Sequence, residues 1–262
     1  MNNIKTDGEI EIMRENALLV SRTLAEVAKH IRQGVSTLEL DRVAEQFIRN
    51  HGAEPGFLGY RGFPNTLCIS VNDVVVHGLP SNYQLHEGDI VSVDCGTRMK
   101  GFYGDSAYTF AVGRISPEAE MLLKATKESL FKGIAQAVHG NRMGDVSNAI
   151  QTHVEGLGYS VVREMVGHAI GRKMHERPDV PNFGRRGQGP KLLSGMVICI
   201  EPMINMGKKE IGYARNDSWA VRTVDGSLSA HYELTVAVGR DKADVLSTFE
   251  FVEEILNNRN LE

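Results

Sequence analysis

Three acidic residues stand inside the most apolar, strand-like stretches of this chain: Asp94 in DIVSVDCG, Glu201 directly after GMVICI, and Glu233 in AHYELTVAV. An ionised carboxylate moved out of water is too costly to persist alone, so each must neutralise, pair with a cation or hold a metal. No matching set of Lys or Arg lies in those stretches. Asp105, in GFYGDSAYTF, and His168, in MVGHAIG, complete a set of five. Four carboxylates and one imidazole form an oxygen-rich ligand set suited to two divalent cations, and the chain reads as a metalloenzyme.

The spacing supports that reading. Segments 89–95 and 102–112 alternate like strands, with a short turn expected near Met99 and Lys100. Paired as a hairpin, they set Asp94 and Asp105 nearly opposite, with Cβ atoms roughly 5 Å apart. Like charges at that distance repel unless a cation lies between them. Glu201 and Glu233, on neighbouring strand candidates in the second half, would supply the opposite wall. A single acid at a strand end is more often a turn or cap residue, and Asp105 alone would be read so. Five such residues framed by strands and glycines are harder to dismiss.

Along the chain, helical periodicity runs from about 8 to 31, and Ser36 with Glu39 opens a second helix that Gly52 closes. Strand candidates follow at LCISV and DVVV. Ser116–Pro117 starts a helix reaching Gly140, a further helix spans about 144–157, and a strand lies near 159–163. The Gly-, Pro- and charge-rich stretch 168–190 reads as an ordered functional loop. Strands are expected at 195–206, 218–224 and 229–239, the last two joined as a hairpin at Asp225–Gly226, before a final helix at about 248–256. The order helices, strands, helices, strands, with two strand acids from each half, predicts an internally duplicated α+β fold. No linker or low-complexity segment divides it, so residues 1–262 are expected to form a single catalytic domain.

Composition excludes other classes. At 42% hydrophobic and 24% charged the chain is an ordinary globular protein, and a formal charge of −4 gives no overall attraction to nucleic acid or an anionic membrane. No apolar run reaches membrane-spanning length, and the polar start MNNIKTDGEIEIMREN lacks the features of a secretory signal. Cys68, Cys95 and Cys199 form no CxxC pair and read as small buried hydrophobes. A cytoplasmic location is expected.

The strings CISVNDVVVHGLP, VSVDCGTRMKGFYGDSAYTF, MVGHAIGRKMHERP, ICIEPMI and SLSAHYELTVAV closely resemble the type I methionine aminopeptidase family in its short bacterial form. The similarity runs from the first helix nearly to the C-terminus. It implies the pita-bread fold: two pseudo-symmetric αβ halves around a central antiparallel sheet. It also implies two divalent ions per chain (Co, Zn, Mn or Fe) held by Asp94, Asp105, His168, Glu201 and Glu233. The activity implied is removal of the initiator methionine from nascent chains when the second residue is small, by a bridging water activated between the ions. Glu201 is then a candidate to accept that water's proton. His175 would donate to the scissile carbonyl, and His77 would contact the amide beside it. Phe57, Tyr60, Phe63, Cys68, Met174 and Trp219 match the methionine pocket. Among the remaining histidines only His231 stays open, because it lies two residues from Glu233.

Two positions depart from familiar members. Met174 stands where an aromatic is common, and Arg61, in YRGFP, where a histidine is common. The resemblance further implies nascent polypeptide N-termini as partners, no DNA partner, no membrane and a monomer. The basic run GRRGQGPK around Arg185 and Arg186 offers a surface for transient ribosome contact, with a solvated loop the preferred reading.

Overall fold

The structure, a computed structural model, describes residues 4–213 and 217–259. Helix α1 (Asp7–Ala28) begins at Thr6, whose hydroxyl accepts the Glu9 N–H while the Glu9 carboxylate accepts the Thr6 N–H. Helix α2 (Thr37–Asn50) is capped by Ser36 through the Glu39 N–H. Five strands complete the first half: β1 (Glu54–Pro55), β2 (Leu67–Val71), β3 (Val74–Val76), β4 (Ile90–Met99) and β5 (Phe102–Ala111). The long β4–β5 hairpin is its centre, with β2 and β1 on the other edge of β4. Met13, Ala17, Val20 and Leu24 bury one stripe of α1, and the buried Asn16 amide donates to the Phe102 carbonyl at 2.8 Å.

The second half repeats the plan with α3 (Pro117–Ile134), α4 (Met143–Gly156), β6 (Ser160–Val161), β7 (Gly167–Ala169), β8 (Glu176–Val180), β9 (Val197–Ile200) and β10 (Met203–Asn205). Strands β11 (Ile211–Tyr213), β12 (Val221–Thr223), β13 (Ser229–His231), β14 (Leu234–Ala237) and β15 (Asp244–Val245) follow, then α5 (Glu250–Arg259). One sheet has the order β15-β14-β9-β7-β8, and β10 lies between β13 and β6 in another. The expected pair of αβ halves is present. No helix among the described residues is long and apolar enough to cross a membrane.

Five expectations change. The β4–β5 turn is Lys100–Gly101, both at positive φ (51° and 80°), a backbone demand that Gly101 meets without a Cβ penalty. The register therefore pairs Asp94 with Ala107 and Gly96 with Asp105, so the two acids are diagonal neighbours on one face rather than nearly opposite. Second, 195–206 and 229–239 are each broken in two. Pro202 has no N–H to give a ladder, so β9 and β10 separate there, as β13 and β14 do at Tyr232–Glu233. Ile200 pairs with Leu234 and Met203 with His231, and continuing that register through the break sets Glu201 across from Glu233.

Third, Asp225–Gly226 does not join two paired strands. β12 pairs with β11 and β3, while β13 pairs with β10. The Asp225 carboxylate instead accepts the Lys208 N–H at 2.7 Å and the Ser227 N–H at 3.1 Å, tying one loop to another. Fourth, the stretch read as a loop contains β7 and β8, short strands held by tertiary pairing that their Gly and Pro content conceals. Helix α3 also stops at Ile134, short of Gly140.

The halves meet where β5 touches the break before β14. The Glu233 N–H donates to the Ala107 carbonyl at 2.9 Å, and the Ser106 hydroxyl donates to the Glu233 carbonyl at 2.7 Å. The Thr235 hydroxyl donates to the Asp105 carbonyl at 2.8 Å. The termini cross over: Ile4 bridges to Met196, Lys5 Nζ pairs with Glu176 Oε2 at 2.7 Å with both side chains largely buried, and the Thr248 N–H donates to Ser21 of α1.

Candidate metal centre

All five predicted ligands converge. Asp94 and Asp105 share one face of the hairpin, and Glu201 and Glu233 face each other at the paired strand breaks. His168 pairs across β7–β9 with Cys199, which aims its ring at the same place. His168 Nε2 lies 3.7 Å from Asp105 Oδ2 and 3.6 Å from Glu201 Oε1. Donor atoms of Asp105, His168, Cys199 and Glu233 all lie within 4.8 Å of one another.

Carboxylates crowded together out of water are costly to ionise without a cation. Burial pushes the Asp94 carboxyl up to about 7, against the lowering effect of its hydrogen bond with Asp105. Burial, then Glu233 and Asp94, hold Asp105 well above its ordinary range. Burial raises Glu201, helped by Asp94 and Asp105, and raises Glu233, helped by Glu201 and Asp94. Asp94 Oδ1, Asp105 Oδ1 and Glu233 Oε1 are buried without a hydrogen-bond partner. No Lys or Arg among the described residues pairs with the four acids. Divalent cations fit this donor set; neutral protonated acids would leave most of its lone pairs unsatisfied.

His168 is prepared as a ligand. Burial pushes its imidazole down to about 4, so it is neutral at physiological pH. Its Nδ1 lies 3.1 Å from the Ala169 carbonyl and donates there, leaving the Nε2 lone pair toward the carboxylates. Two lone-pair-bearing groups facing each other at that range repel without a positive ion between them.

Beside these residues a cavity of about 260 Å³ opens to the surface. Phe57, Tyr60, Phe63, Cys68 and Trp219 line it, as expected of the pocket, and so do His77 and His175. Phe63 and Trp219 meet edge-on with ring centres 5.1 Å apart. Trp219 is not mid-strand as expected; it sits in the bend before β12, its N–H held by Asp217. Met174 is fully buried in the same apolar cluster but does not line the cavity; it packs behind Phe57 and Gly96. A Cβ at Gly96 would lie 2.5 Å from Phe57 Cε1, so any larger residue there must displace that ring.

His175 Nδ1 and the Tyr60 hydroxyl are 2.9 Å apart, and their rings stack. Desolvation against the cavity wall, then His168, Arg61 and His77, hold the His175 imidazole below its ordinary range. His77, directly after β3, has φ 59°, a left-handed conformation uncommon for a residue with a side chain and concentrated at functional sites.

Two residues of the centre had no clear mark in the sequence. Cys199, read as a small hydrophobe, is indeed buried, yet its thiol lies among the candidate ligands, with Sγ 3.5 Å from the Thr235 hydroxyl. Its only signal is strand alternation, which puts 199 on the same face as 201. His231, left open, is buried with Nε2 3.7 Å from Glu201 Oε2 and no hydrogen-bond partner for that nitrogen.

A model of metallopeptidase family M24 matches residues 11–256. This chain belongs to metallopeptidase family M24. A methionine aminopeptidase of Clostridium perfringens is 53% identical over 244 residues, spanning 93% of this chain and 98% of its own length. Methionine aminopeptidase 1 of Bacillus subtilis is 47% identical over 243 residues, with 93% and 98% covered. The crystal structure of methionine aminopeptidase from Rickettsia prowazekii aligns with a TM-score of 0.93 at 38% identity, covering 95% of this chain and 100% of that one. The M24 chain therefore has the pita-bread fold expected from its sequence, and like its family it is a peptidase that uses divalent metal.

Proposed function

We propose that this M24 peptidase is a methionyl aminopeptidase, removing the N-terminal methionine of nascent proteins and peptides whose second residue is small. One observation carries the chemistry: four buried carboxylates and a neutral histidine, without protein counter-charge, beside an apolar cavity lined by aromatic rings and sulfur. The names of its close relatives support methionine as the side chain that fills the cavity.

In this reading Asp94, Asp105, His168, Glu201 and Glu233 hold two ions, drawn from Co, Zn, Mn or Fe. Divalent ions bound there would make a water acidic enough to attack the first peptide bond at neutral pH. Glu201, next to the neutral imidazoles of His168 and His231, accepts the proton that the attack releases. Tyr60 donates its hydroxyl proton to His175 Nδ1, which keeps the proton of the neutral ring on Nε2, free to donate to the scissile carbonyl as negative charge develops. His77 contacts the amide beside that bond.

Phe57, Tyr60, Phe63, Cys68 and Trp219 form the methionine pocket, where ring edges and sulfur suit a thioether, and Met174 sets the position of Phe57 from behind. The chain acts as one catalytic domain over 1–262, as a cytoplasmic monomer. Arg185 and Arg186, exposed beside α4, are read as a solvated loop.

Chelation followed by stepwise restoration of single metals tests the proposal on Met-Ala-Ser. The expected result is loss of cleavage, recovery with at least one metal, and two ions per chain by elemental analysis. Full-rate cleavage by the stripped enzyme would overturn it, as would cleavage of Ala-Pro peptides in preference to Met-Ala-Ser.

A further inference from the structure

The mouth of the cavity carries a cation that no acid among the described residues pairs with. Arg61 lines it, is exposed, and makes no ion pair with any described residue. Its position is built rather than incidental. The loop 57–63 is closed by backbone bonds from Tyr60 N–H to Phe57, Gly62 N–H to Gly59 and Gly59 N–H to Phe63, and Arg61 sits at its apex with φ 51°. The guanidinium lies over the Tyr60 ring, 5.4 Å from its centre. Tyr60 in turn stacks on His175 at 5.3 Å, and His175 meets His168 at 4.2 Å. Four side chains thus lead outward from the metal centre, ending in a positive charge at the surface.

We infer that Arg61 is a specificity-determining residue that favours substrates with a carboxylate at the third position; this rests on the proposed reading of the centre. A substrate whose first carbonyl meets His175 and whose first side chain fills the aromatic pocket must leave through this mouth. The two steps from His175 to Arg61, 5.3 and 5.4 Å, span at most about three residues of extended chain at roughly 3.3 Å each, which brings the third side chain within reach. Glu164 also lines the cavity, where its carboxylate accepts the Arg163 N–H. Arg61 is the charge that lies on Tyr60 beside His175, and the complement of its guanidinium is an acidic side chain. In a short free peptide the terminal carboxylate offers the same chemistry, so the peptides that test this are amidated.

The metal-loaded enzyme is assayed on Met-Ala-Asp-Gly-amide, Met-Ala-Asn-Gly-amide and Met-Ala-Lys-Gly-amide, at low salt and at about 0.5 M NaCl, alongside R61Q and R61K. Exposed pairs of this kind are worth a few-fold and are screened by salt. KM for the Asp peptide should be roughly three- to fivefold below that for the Asn peptide, with kcat alike. The difference should vanish in R61Q and at high salt and persist in part in R61K. Equal KM values in the parent enzyme, a preference that survives R61Q, or a preference for the Lys peptide would each overturn the inference while leaving the peptidase reading intact. If the neutral Asn peptide is not cleaved at all, the reading of the centre fails and this inference fails with it.

Discussion

Removing a charge from a crowded site can strengthen a protein while disabling it, and Asp105 should show this. Its carboxylate lies against Asp94 and Glu233, and one of its oxygens has no partner. Asp105→Asn relieves the repulsion, so the metal-free variant should melt higher than the metal-free parent, yet elemental analysis should find the ion content reduced and cleavage lost. The same crowding fixes a pH response. In the unfolded chain these acids lose their protons near 4, whereas in the folded metal-free chain Asp94 keeps its proton to about 7 and the other three are held well above their ordinary range. The folded state thus binds more protons across this window, and stability must fall as pH rises through it. Thermal midpoints of chelated protein should decline from about pH 4.5 to past 7, whereas bound metal should suppress the decline. A flat profile in the chelated protein would show that these acids are not buried together.

At the level of elements, the tightest constraint is the approach of Phe57 to β4. Gly96→Ala places a methyl group against that ring and the Met174 methyl, so the pocket wall must shift. Overpacking of this kind costs about 1–3 kcal/mol. KM for Met-Ala-Ser should rise several-fold while bound metal is retained, a split readable by combining kinetics with elemental analysis. The five candidate ligands could be picked out in the sequence, because a carboxylate in an apolar strand is conspicuous, whereas the aromatic wall was legible only through the family resemblance. Register was less legible. The Lys100–Gly101 turn moves the hairpin centre by one residue, which turns an opposed pair into a diagonal one. The opposed pair is Glu201 with Glu233, which sequence alone could not show, because it depends on two strand breaks falling in step. Asp225–Gly226 has the residues of a hairpin turn, but the Asp225 side chain is engaged with the 207–208 loop. His231 and Cys199 gave almost no signal, since their roles come only from neighbours far along the chain.

For the whole molecule, the crossed termini matter most. Lys5 and Glu176 join the segment before α1 to β8 in the other half, and neither side chain is much exposed. Removing one partner of a largely buried pair is destabilising, at a cost of about 3 kcal/mol. Lys5→Met should therefore lower the urea midpoint at unchanged m-value, and Lys5→Met with Glu176→Gln should recover much of the loss. Equal midpoints for Lys5→Met and the parent would mean the clasp adds nothing.

The residue that stitches β5 to the second half, Glu233, is also one that would grip the ions. Its amide holds Ala107 while its carboxylate turns toward the centre. Emptying the centre should therefore be felt as slackening along this suture: in deuterium, the Glu233 amide should exchange sooner after chelation, while amides deep in the β4–β5 ladder keep their pace. Loading the enzyme with metal and fastening its two lobes would then be a single event.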